Sequence, residues 1–99
     1  MHARVGSIFV DEYADFFEVV KTSAKTVTVA PIEREAVELL SQWETSFRPM
    51  PGRFCGEPFR RTVKNFSSDG RASMERIDVM PFDFAFLYDG EPAVMDAYN

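Results

Sequence analysis

A regular alternation of aromatic residues near the end of the chain constrains the fold more than any other sequence feature. Large rings occupy every second position of one segment, namely Phe82, Phe84, Phe86 and Tyr88. A period of two places alternate side chains on opposite faces of a β-strand. Because large rings supply most of the core of a small domain, we expect this ladder to form the inner face of a strand.

Asp89-Gly90 follows the ladder directly and predicts a tight turn. A type I′ turn needs positive φ at both central residues, and Asp-Gly is one of the pairs that adopt it. The residues that follow, Glu91–Met95, then predict the returning strand of an antiparallel hairpin.

Three segments predict strands in the first third of the chain. Val5–Val10 and Thr26–Ala30 are rich in β-branched residues, and the second of them alternates with a period of two. Asp15–Thr22 is apolar at both parities, which is typical of a strand that is covered on both faces. A short loop at Thr22–Lys25 predicts an antiparallel hairpin between Asp15–Thr22 and Thr26–Ala30.

Residues 33–42 are ambiguous between a short helix and an extended ribbon. Good helix formers fill Glu33–Leu40, and Pro31 is tolerated in a first helical turn. Apolar residues also suit one side of an extended ribbon, namely Val37, Leu39, Trp43 and Phe47. Periodicity alone leaves both alternatives open.

The middle of the chain predicts a loop and a second hairpin. Three prolines and two glycines interrupt Pro49–Pro58, so a loop is expected there. Phe59–Phe66 predicts a strand, Ser67–Gly70 has turn chemistry, and Ala72–Arg76 predicts the returning strand.

These segments together predict a mostly β fold. We expect a small antiparallel barrel or sandwich of about five to seven short strands, SH3-like, with a short helix near 33–42 as the open alternative. The 99 residues suffice for one core but not for a second independent one, so residues 1–99 are expected to form a single domain.

Composition bears on location and chemistry. No apolar run approaches the roughly 20 residues of a membrane span, and no signal peptide is evident, so a cytoplasmic location is expected. The single Cys55 excludes a disulfide framework. The only histidine that could act as a base for its thiol is His2. Asp11, Glu12 and Asp15 lack the spacing of a calcium loop. We therefore expect no enzyme activity, no cofactor and no metal.

Charge is strongly segregated along the chain. Residues 48–76 carry seven basic and three acidic side chains, whereas residues 77–99 carry five acidic and no basic ones. The acidic set predicts a partner-binding ribbon that offers carboxylates where phosphates normally bind a basic partner. It consists of Asp78, Asp83, Asp89, Glu91 and Asp96.

The basic segment 48–76 supports an alternative surface for an anionic partner. Cations beside aromatic rings suit nucleic acid, because phosphates bind the cations and bases stack on the rings. The same residues also suit internal pairing with the acidic C-terminal segment. The set consists of Arg53, Arg60, Arg61, Lys64 and Arg71.

Six short motifs span nearly the whole chain and resemble those of short, uncharacterised bacteriophage and mobile-element proteins. The chain departs from the pattern at Ser23, where Thr is usual, and at Tyr88, where Trp is common. The motifs are Gly6-Ser7-Ile8-Phe9, Asp15-Phe16-Phe17-Glu18-Val19-Val20, Ser23-Ala24-Lys25-Thr26-Val27, Pro51-Gly52-Arg53-Phe54, Gly56-Glu57-Pro58 and Tyr88-Asp89-Gly90-Glu91-Pro92.

The resemblance implies a compact β domain from a phage-like genetic context, where small acidic proteins often inhibit host defence, anti-CRISPR proteins among them. We therefore expect a non-enzymatic binding protein that acts in the bacterial cytoplasm. It would inhibit a host CRISPR-type nucleoprotein complex stoichiometrically through its acidic surface. The alternative is a small nucleic-acid-binding β-barrel that uses segment 48–76. No membrane partner is expected, and the oligomeric state stays open.

Overall fold

Nine β-strands form one antiparallel sheet in the part of the chain that the computed structural model describes, residues 1–66 and 74–96. The prediction of a mostly β fold is therefore confirmed, with more strands than expected. The strands are β1 Ile8–Asp11, β2 Phe16–Thr22, β3 Thr26–Leu39, β4 Glu44–Phe54, β5 Phe59–Thr62, β6 Lys64–Phe66, β7 Met74–Met80, β8 Asp83–Leu87 and β9 Ala93–Asp96.

The strands are ordered β6-β7-β8-β1-β2-β3-β4-β9, and β5 pairs with β3 beside this path. Only Val63 separates β5 from β6, yet β6 pairs with β7 instead. The segment from β5 to β6 thus joins two distant parts of the sheet, although the ladder itself is not closed. No helix long and apolar enough to cross a bilayer occurs among the described residues.

The main core lies on one face of the sheet. Its fully buried members are Phe9, Val19, Val27, Val29, Ile77 and Ala85. Burying an aliphatic or aromatic side chain of this size contributes about 1.5–3 kcal/mol relative to leaving it exposed. Phe16 and Phe17 are both buried although they point to opposite faces of β2. The prediction that this strand is covered on both sides is therefore confirmed only for its first half, because Val20 and Lys21 are exposed.

The helical alternative for residues 33–42 is wrong, because β3 continues as a strand to Leu39. Its second half pairs with β4, and Ala36 lies opposite Phe47. The register shifts between Ala36 and Glu38, which leaves Val37 as an extra residue in β3. Continuous pairing with β4 thus outweighs the weak helix propensity of the glutamate-rich sequence.

The loop predicted for Pro49–Pro58 is wrong in its first half, since β4 extends to Phe54. Pro49 lies opposite Arg34, whereas Phe54 lies opposite Ile32, so the register shifts strongly between them. Prolines are tolerated in a strand at such an irregularity because fewer ladder donors are needed there.

The hairpin predicted around Asp89-Gly90 is also wrong. Strand β8 pairs with β7 and β1, whereas β9 pairs with β4. The residues between β8 and β9 therefore connect two separate positions in the sheet. Gly90 has a φ of 97°, so the turn does use the left-handed freedom of glycine.

The second predicted hairpin is confirmed in part. Strands β6 and β7 pair antiparallel, with Lys64 opposite Arg76. The predicted turn Ser67–Gly70 lies outside the described residues. The first half of the predicted strand, Phe59–Thr62, pairs with β3 and so belongs to a different part of the sheet.

Phe84 and Phe86 of the aromatic ladder share one face of β8, but this face is not the core. Phe82 lies in the turn before the strand, and Tyr88 follows the strand. Ala85 is fully buried, whereas Phe82 is 89% exposed and Phe84 is 39% exposed. The core prediction is therefore wrong. Ala85 faces the core because Phe9 and Ile77 on the adjacent strands already fill that space.

Candidate functional site

The outer face of β8 forms one wall of an open groove of about 580 Å³. The other walls come from the end of β1 and from the connection between β8 and β9. All four rings of the ladder line the groove. This volume is within the usual range of ligand-binding clefts. The groove is therefore the leading candidate for a functional site.

The rings are held firmly at one end of the groove and are exposed at the other. Tyr88 packs edge-on against the buried Phe16, with 5.3 Å between the ring centroids. Burial raises the pKa of the Tyr88 hydroxyl. At the opposite end, Phe82 is almost fully exposed. Exposed apolar patches of this kind usually mark interaction sites.

Phe82 has an unusual backbone conformation. Met80 pairs with Asp83, so Pro81 and Phe82 form a two-residue turn between β7 and β8. The φ of Phe82 is 66°, and with proline before it this arrangement is that of a type II turn. Glycine or asparagine is usual at this position, because the left-handed region costs other residues about 1–2 kcal/mol.

Carboxylates surround the rings. Asp11, Glu12, Asp89 and Glu91 line the groove, and no Lys, Arg or His is among its lining residues in the described part of the chain. The Asp89 carboxylate accepts a hydrogen bond from the Glu91 amide at 2.9 Å, which orients it within the turn. The groove is thus both aromatic and acidic.

Asp11 is buried at the end of β1 and shapes the turn that follows. Its carboxylate accepts hydrogen bonds from the amides of Tyr13 and Asp15, at 3.0 and 2.9 Å. Burial raises the pKa of Asp11 to about 6, and the negative charge of Asp83 adds to this effect. Burial also raises the pKa of Asp83. This carboxyl pair therefore takes up a proton more readily than ordinary aspartates do.

The predicted acidic ribbon is distributed over several places. Asp89 and Glu91 lie together at the groove. Asp83 faces Asp11, and Asp78 pairs with cations of β6 and β7. Asp96 ends β9, opposite Glu44 of β4. The structure thus brings two of the five residues together at the groove.

Three of the five predicted basic residues have partners within the fold. Arg53 pairs with Glu33, with 3.0 Å between Nε and Oε2. The Arg61 guanidinium donates hydrogen bonds to the carbonyls of Asp78 and Val79, at 2.8 and 3.1 Å. Lys64 Nζ lies 2.7 Å from Asp78 Oδ2.

The other two predicted basic residues differ. Arg60 is exposed and lines a shallow depression together with Lys21 and Thr28. Arg71 lies outside the described residues. Thr62 and Lys64 are exposed as well, but Thr62 belongs to β5, which pairs with β3, and Lys64 belongs to β6, which pairs with β7.

Sequence reasoning overlooked a second exposed apolar surface, at the tip of the β3–β4 hairpin. Leu39 is 71% exposed there, and its neighbours in this surface are Val37, Leu40 and Trp43. The extended-ribbon pattern was the signal for it, but it did not show which side of the ribbon lacks a cover. Four glutamates also belong to this hairpin, namely Glu33, Glu35, Glu38 and Glu44.

The comparisons add no identity to this geometry. No protein-family model matches the chain, and searches of curated proteins and of solved structures found no significant match. Cys55 is exposed, and no group of three His, Cys, Asp or Glu side chains among the described residues is arranged to hold a metal ion.

Proposed function

We propose that this protein is a non-enzymatic binding protein that docks through its aromatic, acidic groove on a basic surface of a partner protein. The observation that carries the proposal is the exposed ring of Phe82 in a groove that also contains Asp89 and Glu91. Interface cores are enriched in aromatic residues, and complementary charge directs association. Hydrophobic rings outside the core are explained if a partner covers them.

The partner class follows from the charge of the groove. Proteins that handle nucleic acid present lysines and arginines to phosphates. Carboxylates on a docked protein occupy such a surface in place of the phosphates. The proposed function of the protein is therefore stoichiometric inhibition of a host nucleoprotein complex of the CRISPR type. The resemblance to phage proteins supports the bacterial cytoplasm as its place of action.

The proposal includes an open, SH3-like barrel as the scaffold. Its support is the pairing of β5 with β3 and of β6 with β7 on either side of Val63. This arrangement carries one chain segment around the core and leaves the outer face of β8 accessible.

A nucleic-acid-binding surface on segment 48–76 is the second candidate. The exposed Arg60 beside Lys21 favours it. The internal partners of Arg53, Arg61 and Lys64 weaken it, because these cations already have anions or carbonyls to bind.

The test is a pull-down from bacterial lysate with purified, tagged protein, with and without nuclease. Asp89→Lys/Glu91→Lys reverses charge at the groove. Glu35→Lys/Glu57→Lys makes the same charge change at exposed positions elsewhere and serves as the control. We expect nuclease-resistant capture of a defined complex that only the groove variant loses.

Two results contradict the proposal. Equal capture by both double variants shows that the groove does not bind. Capture that disappears with nuclease, together with tight binding of labelled oligonucleotides that falls steeply with salt, favours the second candidate. In that case Lys21→Ala/Arg60→Ala should abolish oligonucleotide binding.

A further inference from the structure

The groove contains the two kinds of group that bind a planar cation. Phe82 offers an exposed ring, and Glu12, Asp89 and Glu91 offer carboxylate oxygens. A guanidinium group stacks on rings and also forms two parallel hydrogen bonds with one carboxylate. An ammonium group is a more strongly hydrated point charge without this flat shape. The groove therefore suits arginine better than lysine.

The same chemistry already occurs three times among the residues that the structure describes. An arginine guanidinium lies over a phenylalanine ring in each case, at 4.0 Å for Arg34 on Phe47, 4.6 Å for Arg61 on Phe59 and 4.4 Å for Arg76 on Phe84. Arg76 also lies 3.3 Å from the Asp78 carboxylate, which it shares with Lys64 and which partly offsets its charge beside the groove. The ring of Phe82, in contrast, is 89% exposed.

The backbone of Phe82 provides a separate argument. A φ of 66° is unfavourable for a bulky residue, and glycine would relieve it. Strained residues that are not needed for packing often serve a function. Phe82 is too exposed to contribute much to the core, so a binding role accounts for its presence.

We propose that the groove receives an arginine side chain of the partner protein, with the guanidinium stacked on Phe82 and paired with the carboxylate of Glu12. Asp11 lies opposite Ala85, which places the neighbouring Glu12 toward the Phe82 end of the groove. This inference rests on the proposed docking function and names the group recognised. A second copy of this chain is a poor occupant, because a net charge of −5 and the acidic rim repel it.

The test uses short labelled peptides that differ at one position, which holds arginine, lysine or the neutral analogue citrulline. Binding is measured by fluorescence polarisation and located by amide chemical shifts. We expect the arginine peptide to bind about tenfold more tightly than the lysine peptide, with no binding of the citrulline peptide. The shifts should concentrate at residues 11–13 and 82–85.

Variants separate the groove from general acidity. Phe82→Gly and Glu12→Gln should each weaken the arginine peptide about tenfold, whereas the control Glu35→Gln, at an exposed position elsewhere, should not. A cooperative thermal unfolding transition of Phe82→Gly shows that its loss of peptide binding is not a folding defect.

Several outcomes overturn this inference. Equal binding of arginine and lysine peptides shows a general acidic surface, and equal binding of the citrulline peptide shows an apolar one. Tighter binding of tetramethylammonium than of the arginine peptide shows a site for small organic cations. None of these results affects the pull-down, so the docking function stands or fails separately.

Discussion

Lys64 and Asp78 form an ion pair between neighbouring strands β6 and β7, with 2.7 Å between Nζ and Oδ2. Arg76 approaches the other carboxylate oxygen of Asp78 at 3.3 Å. One carboxylate of the acidic C-terminal segment thus meets two cations of the basic segment. Residues that the sequence assigned to two separate candidate surfaces are therefore partners of each other.

We expect Asp78→Ala to destabilise the protein more than Lys64→Met. Lys64 is half exposed, so its ion pair contributes less than about 1 kcal/mol. Loss of Asp78 removes the anion near both cations and should lower the free energy of unfolding by about 1–2 kcal/mol. Urea unfolding of both variants measures the difference. A larger loss for Lys64→Met contradicts this reading of the cluster.

Replacing Phe82 tests the strain in the β7–β8 turn. Phe82→Ala keeps a side chain at a φ of 66°, whereas Phe82→Gly relieves the strain. We therefore expect the glycine variant to be more stable than the alanine variant by about 1 kcal/mol. Thermal or denaturant unfolding provides the comparison. An alanine variant as stable as the glycine variant would show that the turn is unstrained.

Asp11 should make stability depend on pH between about 4 and 6. Its pKa is about 6 in the folded protein and 3.8 ordinarily, so the folded state binds the proton more tightly. The stabilisation by this proton is present below pH 4 and is lost as pH rises through 6. Asp15 and Asp83 have raised pKa values and act in the same direction.

Asp11→Asn isolates this effect, because asparagine retains an oxygen for the amides of Tyr13 and Asp15. Relative to the unchanged protein, the variant should gain about 1–3 kcal/mol of stability as pH rises from 4 to 7. Urea unfolding of both proteins across this range measures the gain. A stability difference that stays constant with pH would falsify the assigned cause.

Glu75 should be important for anchoring the first residues of the chain. It is buried, and its two carboxylate oxygens accept hydrogen bonds from the amides of His2 and Ala3. Glu75→Gln replaces one acceptor with a donor and should cost about 1–3 kcal/mol. Denaturant unfolding measures this loss, and hydrogen exchange at His2 and Ala3 should accelerate. The exposed Glu57→Gln is the control, and an equal effect there argues against the anchor.

Local sequence patterns predicted the strands whose partners are close in the chain. The β2–β3 hairpin follows from the alternation in Thr26–Ala30 and from the short loop before it. Phe16 and Phe17 correctly indicated burial on both faces of β2. Such patterns report a residue's own strand and its nearest turn, and both are local properties.

Patterns that depend on distant partners were misread. The alternation in β8 shows that its rings share a face, but Phe9 and Ile77 determine which face is the core. Asp89-Gly90 permits a hairpin, yet β9 pairs with β4. Helix propensity in Glu33–Leu40 was likewise overridden by pairing with β4.

The candidate groove was only partly visible in the sequence. Its rings and the carboxylates of Asp89 and Glu91 are neighbours in the chain, and both were noted as features. Asp11 and Glu12 join them only because β1 pairs with β8. The turn at Pro81-Phe82 was missed, although proline at the first position of a turn was its signal.

The position of β1 between β2 and β8 also bears on synthesis. Phe9 lies opposite Leu87, so the first strand of the sheet can complete its pairing only after one of the last strands has been synthesised. While the chain is still emerging from the ribosome, β1 can pair with β2 but keeps one edge open. Non-local pairing of this kind slows folding, and an open edge invites association with other chains. Rapid completion of translation or protection by a chaperone should therefore favour the yield of folded protein.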